Sequence, residues 1–101
     1  MIIGLDFDGT YTLAPHLWDR FIEQFRMAGH EVVCCTMRYK EEGGDVEEAL
    51  ANKVDAIVYT GRKAKHKFLR DKGIDINVWI DDNPHWIHQD AAPHPAYHSY
   101  S

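Results

Sequence analysis

Four short runs of apolar and β-branched residues constrain this chain more than any other feature: Ile2 to Phe7, Glu31 to Thr36, Ala56 to Thr60 and Asn77 to Ile80. Each is nearly continuous in apolar character instead of alternating with polar residues. Strands of that kind are buried on both faces, as in a parallel sheet covered by helices. Helical patterns fill the gaps. Between Pro15 and Ala28, residues Leu17, Trp18, Phe21, Ile22 and Phe25 fall on one helical face, with Pro15 suited to the first helical position and Gly29 to the stop. Glu42 to Asn52 carries Val46, Ala49 and Leu50 on one face, Lys63 to Lys72 ends at Gly73, and a short helix is expected over Pro84 to Gln89. The expected architecture is therefore α/β: a three-layer Rossmann-like parallel sheet of about four strands with flanking helices and right-handed crossovers.

At 101 residues the chain is expected to be one small domain over residues 1–90, with a tail over 91–101 that is either mobile or docked on a neighbour. A formal charge of −5 argues against a nucleic-acid coat protein or a polybasic membrane binder. The charge is unevenly spread, because Arg62, Lys63, Lys65, Lys67, Arg70 and Lys72 are six of the eleven basic residues. That stretch reads either as a basic edge or as a solvated helix face. Cys34 and Cys35 are adjacent on a strand and point to opposite faces, so they are expected to be reduced, buried hydrophobes. With no leader-like segment and no long apolar stretch, a cytoplasmic location away from membranes is expected.

Ligands of open parallel sheets bind at the carboxyl ends of the strands. Here those ends carry Asp6-Phe7-Asp8-Gly9-Thr10, then Thr36-Met37-Arg38, then Thr60-Gly61-Arg62, and finally Asp81-Asp82-Asn83. Four acids converging on one edge repel one another unless a cation neutralises them or some stay protonated. Oxygen-only ligands suit a hard cation, and Mg²⁺ is the natural choice. Asp6 and Asp8, two apart on an extended strand end, are expected to share a side. Gly9 permits a sharp turn beside a ligand, and Thr10 offers a hydroxyl to a neighbouring acid. A lone D-x-D-G is common in turns after strands, so the weight rests on the combination.

These motifs resemble, in order, those of the haloacid dehalogenase (HAD) superfamily of aspartate-nucleophile phosphohydrolases, and they span residues 2 to 83. The likeness is to minimal members of bacterial or phage type. It implies that Asp6 is the nucleophile and a metal ligand. It makes Asp8 the general acid/base, touching the metal through its backbone carbonyl. Thr36, ending Val32-Val33-Cys34-Cys35-Thr36, would hold the transferring phosphoryl group. A lysine at the start of the helix before the fourth strand is also implied; Lys63, Lys65 and Lys67 compete for it, and Lys65 is preferred. Asp81 and Asp82 would complete a Mg²⁺ site with Asp6 and Asp8. Gly9 and Thr10 would line the phosphate loop, and Arg38 reads either as a phosphate ligand or as a surface residue.

The chain departs from that family in having no room for a cap domain, since each gap between motifs holds about one helix. A fifth strand usual in the family is also missing. An open site excludes water poorly, so a large substrate or a second subunit is expected to cover it. A homo-oligomer would bury exposed sheet edges, with Trp86, Tyr97 and Tyr100 available for docking, although Trp86 reads first as covering its own core. His85, His88, His94 and His98 read as a polar tail in preference to a zinc site. The leading expectation is a Mg²⁺-dependent phosphohydrolase acting on a small phosphate ester or nucleotide. A protein that sequesters a phosphorylated nucleotide or signalling ligand without turnover is the first alternative. A nucleic-acid end phosphatase is the second, favoured by the basic stretch and opposed by the net charge.

Overall fold

The computed structural model describes residues 1–95. Strands β1 (Ile2–Leu5), β2 (Glu31–Thr36), β3 (Ala56–Tyr59) and β4 (Val78–Ile80) alternate with helices α1 (Pro15–Met27), α2 (Gly44–Leu50), α3 (Lys65–Asp71) and α4 (His85–His88). The strands form one sheet in the order β3-β2-β1-β4, and every pairing is parallel. This is a small Rossmann-like α/β fold. No helix among the described residues is long and apolar enough to cross a membrane.

The continuous apolar runs have the cause inferred for them. Successive strand residues feed opposite faces, and both faces are covered. Ile3, Leu5, Val32 and Cys34 pack with Ile22 of α1 and with Val46 and Leu50 of α2. Val33, Cys35 and Val58 pack with Leu69 of α3 on the other face. Topology explains the split. The chain steps outward from β1 through β2 to β3, then returns past β1 to β4. A reversal of direction with right-handed crossovers puts α3 opposite α1 and α2. The reversal point lies between β1 and β4, where open α/β sheets bind ligands. Cys34 and Cys35 are both buried and sit in different cores, and burial pushes the Cys35 thiol up to about 12.

Three expectations are corrected. β1 stops at Leu5, two residues before Phe7, because the chain turns at once into the loop that carries the acids. The helix expected from Glu42 divides into a 3-10 turn, Lys40–Glu42, and α2 from Gly44. Gly43 sits at the break, where a side chain would overlap the Tyr59 phenol. Leu17 was placed on the apolar face of α1, yet it is 61% exposed, because Trp18 and Phe21 supply the inward contacts of that turn.

The expected tail divides at the limit of the described residues. Ala91 to Pro95 lies against the chain's own loops: the Ala91 N–H donates to the Arg62 carbonyl at 2.8 Å, and the His94 N–H donates to the Tyr39 hydroxyl at 3.3 Å. Tyr97, His98 and Tyr100 lie outside the described residues.

Candidate active site

The register of β1 against β4 builds the centre of the site. Leu5 pairs with Ile80, and the Asp6 N–H donates to the Ile80 carbonyl at 2.9 Å. The next residues on the two strands are therefore side by side, and they are Asp6 and Asp81. Asp6, Asp81 and Asp82 each offer a carboxylate oxygen, all within 4.8 Å of one another. Among the described residues this is the only group of three potential metal-ligating side chains. His85 and His88 are exposed and join no such group.

Lys65, in the first turn of α3, reaches into the cluster although it is only 2% exposed. Its ammonium donates to Asp6 Oδ1 at 2.8 Å and to Asp81 Oδ2 at 2.6 Å. The competing lysines lie elsewhere: Lys63 is exposed, and Lys67 pairs with Asp71 at 3.0 Å on the surface. The Thr10 hydroxyl lies 3.1 Å from Asp6 Oδ2 and 3.1 Å from Asp82 Oδ1, and it accepts from the Asp82 N–H at 3.1 Å. The Asn83 N–H donates to Asp81 Oδ1 at 2.9 Å.

The charges do not balance. Three carboxylates face one ammonium, so full ionisation would leave two negative charges in a partly buried space. Burial drives the Asp6 carboxyl up to about 7, against the pull of Lys65. Hydrogen bonding with Asp6 holds Asp82 below its ordinary range. Burial alone would lower the Lys65 ammonium, but Asp6 and Asp81 outweigh it and its pKa rises. A divalent cation bound by oxygens would cancel the excess, and the donor set of Asp6, Asp81 and Asp82 fits a hard ion such as Mg²⁺.

Asp8 departs from the expected placement. The period-two rule that put it beside Asp6 applies only to extended chain, and β1 has already ended. Its carboxylate points to Arg38, which grips it through two bonds, Nε to Oδ2 at 2.9 Å and Nη2 to Oδ1 at 2.7 Å. The Asp8 side chain is thus outside the acidic cluster. Arg38 is held further by Asp45 and by the Glu42 carbonyl at 2.8 Å, and its guanidinium lies 5.1 Å from the centre of the Phe7 ring. It lines the cleft and ties the β1 loop to the start of α2. Thr36 is 1% exposed at the end of β2, and its hydroxyl accepts from the Arg38 N–H at 3.3 Å.

Gly9 closes the loop with φ +78°, and a Cβ there would lie 2.5 Å from Asp82 Oδ2. Both facts forbid a side chain. Gly9→Ala is expected to cost about 1–3 kcal/mol and to push Asp82 out of the cluster. Urea unfolding and Mg²⁺ affinity measured on the variant check this, with both expected to fall.

The cleft above these groups has a volume of about 680 Å³. It is lined by Asp6, Asp8, Thr36, Arg38, Lys65, Asp81 and Asp82 together with Met37, Arg62, Asn83, Trp86 and Ala91 to Pro95. The place of residues 91–95 in this lining has no signal in the sequence. Nothing in residues 91–95 announces that they fold back, and only the two prolines hint at a fixed extended course. The role of Asp45 and Glu42 in holding Arg38 was likewise without a local signal. Of the basic stretch, Lys65 enters the cluster and Arg62 lies over the Tyr39 ring at 5.6 Å, while Lys63, Lys67, Arg70 and Lys72 are exposed.

The fold and site together define a Rossmann-like α/β domain with an acidic, lysine-braced pocket at its strand ends. The chain matches no known family model, and neither curated proteins nor solved structures give a match.

Proposed function

We propose that this chain is a capless, HAD-like, Mg²⁺-dependent phosphohydrolase that acts on a small phosphate monoester through an aspartyl-phosphate. The single observation that carries the reading is the cluster of Asp6, Asp81 and Asp82 around a buried Lys65 at the point of strand reversal. Asp6, Asp81 and Asp82 would hold Mg²⁺, which when bound supplies positive charge to the phosphoryl oxygens and keeps Asp6 ionised.

The residues then divide the work. An Asp6 carboxylate oxygen attacks phosphorus, forming an O–P bond as the ester P–O bond breaks. Asp8 delivers a proton to the departing oxygen. Water next attacks phosphorus while Asp8 takes its proton, and the Asp6–phosphorus bond breaks to release inorganic phosphate. Lys65 and the Thr36 hydroxyl offset charge on the phosphoryl oxygens. Thr10 holds Asp6 and Asp82 in register. The test is phosphate release from acetyl phosphate and a panel of monoesters. Release is expected with Mg²⁺ and is expected to stop on chelation; silence under both conditions would remove the reading.

One observation favours a second reading, a protein that binds a phosphorylated ligand without turnover. Both Asp8 oxygens are engaged by Arg38, so neither can serve a leaving group until Arg38 lets go. Ligand recovered unchanged from a Mg²⁺-loaded protein would favour this alternative.

A further inference from the structure

The cleft is larger than a phosphate needs, and its lining joins charged groups to apolar ones. About 680 Å³ falls in the range of sites that take whole small-molecule ligands. Beside the charged groups, the lining carries Trp86 and Met37 together with the prolines of the returning segment, Pro93 and Pro95. Trp86 is half-buried, in contrast to the buried Ile87 that anchors α4 in the domain. His85 meets the Trp86 ring edge-on at 4.9 Å and 72°, which restrains the indole. Asn83, which can both donate and accept, lines the same cleft.

We infer that these apolar lining residues are the subsite for the alcohol portion of the substrate, and that they take a flat heteroaromatic ring stacked on Trp86, so that the substrate is a nucleoside monophosphate. The inference rests on the phosphohydrolase reading for the position of the phosphate. An indole face and apolar neighbours suit a base, because every nucleobase has a π-face and stacking is tolerant of its identity. The Asn83 amide, in the same lining, suits the donor and acceptor pattern of a base. Ala91 to Pro95, pinned at Arg62 and Tyr39, supplies part of the enclosure that an inserted cap would otherwise give.

The experiment compares a purine nucleoside monophosphate with glycerol phosphate, using wild type, Trp86→Ala and Trp86→Phe with Mg²⁺. The expected result is a loss in kcat/KM from Trp86→Ala that is about tenfold greater for the nucleotide than for glycerol phosphate, carried mainly by KM. Trp86→Phe, which retains a π-face, should recover most of that loss, and a melting curve on each variant separates lost stacking from lost folding. Equal losses on both substrates would overturn the inference while leaving the phosphohydrolase intact. If acetyl phosphate and both esters are left unhydrolysed, the phosphohydrolase reading fails instead. The subsite is then judged by equilibrium binding of the nucleotide to the Mg²⁺-loaded protein. About tenfold weaker binding in Trp86→Ala upholds it, and equal binding overturns it.

Discussion

Asp6→Asn is expected to lower Mg²⁺-dependent phosphate release by about 10⁴-fold or more, because an amide cannot form the covalent intermediate. The same substitution is expected to stabilise the metal-free protein at pH 8. Asp6 has a pKa of about 7 in the fold, above its ordinary value of 3.8. The native state therefore holds this proton more tightly than the unfolded chain does. That contribution to stability is complete below about pH 4 and is lost as pH rises toward 7, at a cost on the order of a few kcal/mol. Asn at this position carries no such charge, so the fall in stability between those pH values should flatten. Mg²⁺ is expected to raise the melting temperature of wild type, as a ligand held by the folded cluster alone would, and to have little effect on the variant. Calorimetric melts at pH 5 and pH 8, with and without Mg²⁺, check all of this. A variant less stable than wild type at pH 8 without metal would contradict the charge account of the cluster.

Lys65→Met is the second large effect. Lys65 is 2% exposed and is the ammonium placed between Asp6 and Asp81. Removing it leaves buried carboxylates without a counter-charge, which costs about 3–5 kcal/mol in comparable pairs. In a domain of this size that is a large share of the whole stability. The cost is expected to shrink at pH 5, where Asp6 takes up a proton, and to shrink again when Mg²⁺ is added. Lys67→Met is the control. Its side chain is 74% exposed in an i,i+4 pair with Asp71, so a change under about 0.5 kcal/mol is expected. Urea unfolding of both variants at the two pH values provides the measurement; equal effects from the two lysines would show that Lys65 carries no special electrostatic role.

The sheet and its helices were legible because burial on both faces writes a continuous apolar run, and Ile2 to Leu5 and Glu31 to Thr36 are such runs. The acidic centre was legible for a related reason: strand ends are short, and parallel register carries Asp6 and Asp81 to the same level. Lys65 could be singled out only weakly from Lys63 and Lys67, since helix phase and not residue type decides which one turns inward. Asp8 misled, because alternation holds only while the chain stays extended, and the turn at Phe7 redirects the side chain to Arg38. The Arg38 ties to Asp45 and Glu42, and the return of Ala91 to Pro95 over Arg62 and Tyr39, depend on loop geometry with no periodic trace in sequence.

The measurement that tests the central claim most directly is a trap for phosphate on Asp6. Acetate leaves an acyl phosphate without needing a proton, so Asp8→Asn should still be phosphorylated by acetyl phosphate with Mg²⁺ and then fail to activate water. Rapid acid quench followed by peptide mass analysis should find one phosphoryl group on the peptide carrying Asp6, and none after Asp6→Asn is added. A phosphoryl group on any other residue, or phosphate released with no protein adduct at any time, would contradict the account.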